Sequence, residues 1–185
     1  MGTKETLPSK LTFGVALLVL GTILIAGGVN KTTSLNSSFE GEPLIINEFS
    51  DHKINETDIP RKVIIPRMSV DLNIKKSEVI NGYWQVFDDV AGWGSGSGIP
   101  GSPGNQVIFA HAKEGLFLPL RSIKLDDSIY VFTESKWFGY SVREIKEVYP
   151  DRVEIINPTD DETLTLYTCS GFADKKRLVI IAKRI

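Results

Sequence analysis

The chain has 185 residues, which is enough for one domain of ordinary size with accessory segments. Apolar residues make up 42% of it and charged residues 24%, the composition of a globular protein. The formal net charge of -2 provides no basic field for phosphate groups, so we expect no nucleic-acid partner.

The N-terminal region contains a predicted membrane span. Residues 11–29 form an uncharged apolar run, and about 20 such residues cross the roughly 30 Å of bilayer hydrocarbon as a helix. The run is longer than the apolar region of a cleaved signal peptide, and a good cleavage site is missing. Lys4 and Lys10 precede the span and Lys31 follows it, which places residues 1–10 in the cytoplasm by the positive-inside rule. We therefore predict an uncleaved single-pass anchor in the cell membrane, with the body of the chain extracytoplasmic.

A polar linker precedes the predicted folded domain. Residues 30–60 are rich in Asn, Ser, Thr and charge, and they show no sustained hydrophobic period. Residues 61–185 consist of short runs rich in branched and aromatic residues, separated by turn residues. These runs read KVIIP, DLNI, NQVIFAHA, SIYVFT, GYSVREIKEVY, ETLTLYTC and RLVIIAKRI. Only residues 116–123 look helical, so we predict an all-β barrel or sandwich over residues 61–185.

A glycine-rich segment lies between two of the predicted elements. Residues 92–105 formally contain the dinucleotide pattern G-x-G-x-x-G. A true match opens a helix, which the two prolines of this segment forbid. We therefore interpret it as a long turn that leads into a strand, and its functional alternative is a loop that borders a substrate groove.

Cys169 is the only cysteine of the chain, although extracytoplasmic cysteines usually form pairs. It is either an inert core residue or a reactive thiol. A reactive thiol needs a base and a donor for the oxyanion that forms when it attacks a carbonyl. His52 lies in the linker, whereas His111 ends the NQVIFAHA strand, so His111 is the candidate base.

Arg177 is the candidate donor. Cys169 ends one predicted strand and Arg177 begins the next, so in an antiparallel hairpin the two residues would face each other on one side of the sheet. An arginine there could lower the pKa of the thiol or hold an oxyanion. The alternative is an exposed charge at a strand end, which is our interpretation of Lys175 and Lys176.

The sequence predicts no metal site and no required cofactor. One cysteine and one domain histidine fall short of the three or four ligands that zinc usually takes. The acidic residues 160–162 could bind calcium, but a solvated loop is the commoner explanation, so calcium activation is not supported.

Four motifs follow one another across residues 61–185. They are I-P-x-x-x-V-D-L-x-I at residues 65–74, P-G-x-x-G-N-x-V-I-x-A-H at 100–111, T-L-x-T-C at 165–169 and R-L-V-I at 177–180. In this combination and order the domain resembles the sortases, the cysteine transpeptidases that attach proteins to Gram-positive and related cell walls. It departs from the family pattern at Ala110 and Asp126, where glycine is usual.

The resemblance implies an eight-stranded β-barrel with short helices, and an enzyme of the thiol peptidase and acyltransferase type. Cys169 would attack the Thr–Gly carbonyl of an LPxTG-like sorting signal, Arg177 would stabilise the oxyanion and His111 would protonate the leaving amine. The partners would be surface proteins that bear the signal and an amine acceptor on a peptidoglycan precursor.

The resemblance also implies substrate-binding residues. Thr168 and Ala110 flank the catalytic positions, and Ile155 and Ile156 lie in the connection before the cysteine strand, which would form one wall of the groove. The chain ends after its last predicted strand, without the C-terminal membrane segment that pilin-polymerising members often carry, so we expect a wall-anchoring member, either housekeeping or similar to classes D and E.

Two other functions are kept as alternatives. One is an L,D-transpeptidase that cross-links peptidoglycan, which also uses one cysteine and one histidine, but its S-x-G-C-x-R cluster is not matched because Thr168 precedes Cys169 and Arg177 is too distant. The other is a non-catalytic anchored β-domain with an inert cysteine.

Overall fold

The computed structural model describes residues 55–171 and 175–185. The predicted cytoplasmic tail, membrane span and most of the linker lie outside these residues. Within the described part of the chain, no helix is long and apolar enough to cross a membrane.

The described residues form β-strands and short 3-10 helices. The strands are β1 (Lys62–Ile65), β2 (Val70–Ser77), β3 (Val79–Ile80), β4 (Tyr83–Trp84), β5 (Ala91–Gly94), β6 (Gly104–Phe109), β7 (Ser128–Phe132), β8 (Trp137–Val148), β9 (Glu162–Ser170) and β10 (Lys176–Arg184). The 3-10 helices span Pro66–Met68, Leu118–Ser122 and Val153–Ile156. The second of these helices is the segment that looked helical in the sequence.

Eight strands close into a barrel in the order β1-β2-β5-β6-β9-β10-β8-β7, and β3 pairs with β4 in a separate hairpin. Most neighbouring strands are antiparallel, but β2 pairs with β5 and β6 pairs with β9 in parallel. The prediction of an all-β domain with an eight-stranded barrel is confirmed. The parallel β6–β9 pair matters for function, because parallel strands that lie side by side end at the same edge of the sheet.

The barrel interior holds the main hydrophobic core. On β9, Leu164 and Leu166 are buried and belong to this core, as do Leu178, Ile180 and Ala182 on β10. Alternate residues of a strand point to opposite faces, so the residues between them face the outside of the barrel. The side chains of β9 that can reach an external substrate are therefore those that alternate with its buried leucines.

The turn expected from residue 92 onward begins later than predicted, because residues 91–94 form β5. Two glycines gave this strand a low propensity. They are needed for close packing: a Cβ atom at Gly94 would lie 2.5 Å from the indole of Trp84, and one at Gly92 would lie 2.9 Å from the ring of Phe109. The remainder of the segment is a turn into β6, as predicted.

Asp126 explains one departure from the family pattern. Its φ of 64° lies in the left-handed region, which glycine adopts without strain and aspartate tolerates better than most residues. Its carboxylate also accepts a hydrogen bond of 2.6 Å from Arg143 Nη1. An aspartate can therefore occupy a turn position where glycine is usual.

Candidate active site

Cys169 and Arg177 face each other across the β9–β10 hairpin. They are direct partners in the antiparallel register of these strands, so their side chains lie on the same face of the sheet. The pairing predicted from the sequence is confirmed. Cys169 is partly exposed and not in a disulfide. Both properties are required of a thiol that reacts with an external substrate.

His111 reaches the same level from the other side of β9. Phe109 pairs with Tyr167 in the parallel β6–β9 ladder, and the Ala110 amide donates to the Tyr167 carbonyl at 3.3 Å. β6 ends at Phe109, so the strand predicted to end at His111 is two residues shorter; continued at the same register, His111 would come level with Cys169. Cys169 and Arg177 are therefore neighbours on β9 and β10, and His111 follows two residues after the end of β6, the strand on the other side of β9.

A second hydrophobic cluster identifies the face on which these residues lie. Trp84, Val107, Phe109 and Ile156 form its buried part, and Val86, Ile155 and Tyr167 pack against it. We call this set the outer cluster. Since Val107 and Phe109 alternate with core residues of β6, the cluster covers the outside of the barrel. Cys169 and Arg177 share this outward orientation, because they alternate with core residues of β9 and β10. His111 follows the core residue Ala110, just after the end of β6.

Arg177 is held in a buried position. It is 3% exposed, its Nε donates to the Tyr167 hydroxyl at 3.1 Å and its Nη1 donates to the Lys176 carbonyl at 3.0 Å. A solvated strand-end charge would be exposed, so the structure contradicts that alternative. A guanidinium held in a low-dielectric setting acts strongly on nearby negative charge.

His111 lies beside an acidic residue that the sequence did not single out. Its side chain is 20% exposed, and its Nε2 lies 3.6 Å from Oδ1 of Asp88, whose side chain is 88% exposed. Asp88 belongs to the connection between β4 and β5, which also carries Val86 of the outer cluster. An exposed carboxylate at this distance interacts with the imidazole weakly and in a salt-dependent way.

Thr168 and Ala110, predicted to bind substrate, are buried inside the barrel wall. Thr168 is 0% and Ala110 is 1% exposed, and the Thr168 hydroxyl donates to the Ala110 carbonyl at 2.7 Å. This bond ties β9 to β6 directly beside Cys169 and His111. A substrate contact from these two residues would have to come from their backbone atoms.

Ile155 and Ile156 lie against the predicted groove region through the outer cluster. The connection that carries them is attached to the barrel by Asn105, which belongs to the P-G-x-x-G-N motif. Asn105 is 4% exposed; its Nδ2 donates to the carbonyls of Ile155 at 3.0 Å and Asn157 at 3.1 Å, and its Oδ1 accepts from the Thr165 hydroxyl at 2.7 Å.

The acidic residues 160–162 make specific contacts. Asp161 forms an ion pair of 2.8 Å with Lys183, and Glu162 accepts a hydrogen bond of 2.7 Å from the Tyr140 hydroxyl. Within residues 55–171 and 175–185, no group of three or more His, Cys, Asp or Glu could hold a metal ion. That the domain works without a cofactor stays a prediction.

Three contributors to the site were missed from sequence: Tyr167, Asp88 and Asn105. Tyr167 could have been predicted from the sequence, because a residue two positions before Cys169 on a strand lies on the same face as Cys169. Asp88 and Asn105 act through contacts with residues distant in sequence, and no local pattern indicates these.

Comparison with known proteins gives a consistent result. Residues 63–185 match the family described as the sortase domain. Sortase A of Bacillus anthracis is 25% identical over 143 residues, which cover 73% of this chain and 63% of that protein. Sortase A of Streptococcus agalactiae serotype III is 31% identical over 93 residues, or 46% of this chain and 38% of that protein. The matched part of the chain therefore spans less than two thirds of either relative.

A solved structure agrees in fold. The lid mutant of Sortase A from Corynebacterium diphtheriae superposes with a TM-score of 0.60 at 27% identity, covering 69% of this chain and 70% of that one. The eight-stranded barrel of this chain is therefore the fold of a solved sortase structure. Because the family match extends over most of the chain, this protein belongs to the sortase family.

Proposed function

We propose that this protein is a membrane-anchored cysteine transpeptidase that cleaves an LPxTG-like sorting signal and transfers the acyl group to an amine, attaching proteins to the cell wall. The observation that carries the proposal is the direct pairing of Cys169 with Arg177 across β9 and β10, with His111 two residues after the end of the neighbouring strand β6, in a sortase-family barrel.

In the first step, the Cys169 thiolate attacks the carbonyl carbon between Thr and Gly of the signal. A C–S bond forms, and the carbonyl electrons move to an oxyanion that Arg177 stabilises. When the oxyanion collapses, the C–N bond breaks and His111 gives a proton to the leaving amine. The acyl group remains on Cys169 as a thioester.

In the second step, an amine of a peptidoglycan precursor attacks the thioester. Its proton passes to His111, the new C–N bond forms, and the C–S bond breaks to regenerate the Cys169 thiolate. The peptide bond is exchanged without net oxidation or reduction. Water can replace the amine, in which case the same thioester is hydrolysed.

The wall of the groove is proposed to be the connection that carries Ile155 and Ile156. Both residues pack in the outer cluster, which lies on the same face as the thiol. Apolar side chains in this position suit the leucine and proline of an LPxTG-type peptide.

The N-terminal segment is proposed to anchor the enzyme at the membrane where its substrates emerge. The apolar composition of residues 11–29 supports this anchor. Resistance of the expressed chain to alkaline extraction from membranes would support it, and release of intact chain by that treatment would contradict it.

The catalytic proposal is tested by incubating the full chain with a fluorogenic LPxTG peptide and an acceptor amine, and by detecting the acyl-enzyme by mass spectrometry. We expect Cys169→Ala to form no thioester. Arg177→Ala should lower turnover by about 10²–10³-fold, the cost of removing one oxyanion donor. Lys175→Ala removes an exposed cation from the same hairpin and should leave turnover unchanged. Turnover by Cys169→Ala at the wild-type rate would refute the mechanism.

The same assay addresses the two alternatives. An L,D-transpeptidase would process peptidoglycan stem peptides instead of sorting peptides, and a non-catalytic domain would turn over neither. The family match supports the sorting peptide as the first substrate class to test.

A further inference from the structure

We propose that Tyr167 is a positioning residue that orients the guanidinium of Arg177 toward the thiol of Cys169. This inference rests on the proposed function, because it assigns a role in the same reaction. It concerns the variable position of the T-L-x-T-C motif, which carries no assigned chemistry.

The register of the hairpin brings the two side chains together. Tyr167 pairs with Val179 and Cys169 pairs with Arg177, so Tyr167 and Arg177 are diagonal neighbours on the outer face. Diagonal positions in a sheet are about 7–8 Å apart, within reach of a tyrosine and an arginine. The contact is made by Arg177 Nε, which donates to the Tyr167 hydroxyl at 3.1 Å.

Two bonds fix the orientation of the guanidinium. Arg177 Nε is held by Tyr167, and Nη1 is held by the Lys176 carbonyl at 3.0 Å. The guanidinium is planar, so contacts at two of its nitrogens determine both its plane and its rotation within that plane. A donor that is fixed before the reaction stabilises an oxyanion without reorganising during the reaction.

The neutral state of Tyr167 suits this role. Burial raises the pKa of Tyr167, and this outweighs the opposite effect of Arg177, so the phenol stays protonated at neutral pH. A carboxylate in this place would orient the arginine and also cancel its charge. A phenol orients the cation and leaves its charge available to the thiolate and the oxyanion.

The competing explanation is that Tyr167 only packs. Its ring contacts the outer cluster, and loss of that packing would also affect the site. Tyr167→Phe separates the two roles, because it keeps the ring and removes only the hydroxyl.

The test compares Tyr167→Phe with Tyr130→Phe in the full chain. Tyr130 lies on β7, where its ring packs edge-on against Trp137, so this control makes the same chemical change outside the site. We expect Tyr167→Phe to lower kcat by about tenfold, because it removes a hydrogen bond to a charged group, and to change KM by less than about twofold. Tyr130→Phe should change neither constant. An unchanged kcat in Tyr167→Phe would overturn the proposal.

A double-mutant cycle identifies the partner. Arg177→Lys keeps a cation but has no Nε, so Tyr167→Phe should have little further effect in that background. If Tyr167→Phe lowers kcat by the same factor in both backgrounds, the hydroxyl does not act through Arg177 and the inference is wrong.

A second readout does not depend on sorting-peptide turnover. The chain has one cysteine, so the pH dependence of iodoacetamide alkylation reports the Cys169 thiolate alone. If Tyr167 holds the Arg177 cation beside the thiol, Tyr167→Phe should move this profile to higher pH, and an unmoved profile would contradict the proposal. Failure of the wild-type chain to process any sorting peptide would refute the proposed function, whereas the alkylation profile would still decide the role of Tyr167.

Discussion

Replacing Asn105 by alanine should destabilise the barrel and loosen one wall of the groove. The side chain makes three hydrogen bonds, to the Ile155 and Asn157 carbonyls and from the Thr165 hydroxyl, at 2.7–3.1 Å. Each such bond contributes about 0.5–1.5 kcal/mol net, so we expect a loss of about 2–4 kcal/mol in the free energy of unfolding. Thr165 is 0% exposed, which adds the cost of leaving a buried hydroxyl without its acceptor.

Equilibrium unfolding in urea, followed by tryptophan fluorescence, measures this loss. Asn73→Ala is the matched control: Asn73 is an exposed asparagine on β2, and its replacement should change stability by less than about 0.5 kcal/mol. Because Asn105 attaches the connection that carries Ile155, KM for a sorting peptide should rise more than kcat falls. If Asn105→Ala is as stable as Asn73→Ala, the hydrogen bonds do not attach the connection and the reasoning is refuted.

Two further predictions concern charged pairs. Arg67 binds both carboxylate oxygens of Asp127 and holds the pKa of that carboxyl below its usual range. A lowered pKa stabilises the fold above the ordinary aspartate pKa of about 3.9 and loses this effect as pH falls through the folded value. Asp127→Asn should therefore lower the thermal midpoint at pH 7, with a difference from wild type that shrinks below pH ~4; a difference independent of pH would contradict this. Asp88→Asn should lower turnover by less than about fivefold, and by less still in high salt, because the carboxylate is exposed. A loss of turnover that is unaffected by salt would show that Asp88 acts in another way.

The relation between Cys169 and Arg177 could be predicted because it is local. Only five residues separate β9 from β10, so the length of the connection limits which residues can pair. His111 is 58 positions away from Cys169 in the sequence, and its place depends on a parallel pairing that no turn specifies. The residue pattern alone predicted only that His111 ends a strand, and the family resemblance supplied its partner.

The strand β5 was not predicted from the sequence, and its packing explains why. β5 contains two glycines where Trp84 and Phe109 approach the backbone, so close packing took precedence over strand propensity.

Ala110 in place of the usual glycine is accommodated because its methyl group belongs to the barrel core and its carbonyl accepts the hydrogen bond from Thr168.

The position of His111 relative to Cys169 depends on how β6 pairs with β9. The Thr165–Asn105 bond ties the two strands near their beginnings, and the Thr168–Ala110 bond ties them near their ends. A slip of one residue in this parallel ladder would turn His111 away from the thiol, since side chains alternate between faces. The two threonines of the Cys169 strand therefore help to keep His111, the proposed proton donor, beside Cys169, the proposed nucleophile. Tyr167, on the same strand, holds the Arg177 guanidinium on the β10 side.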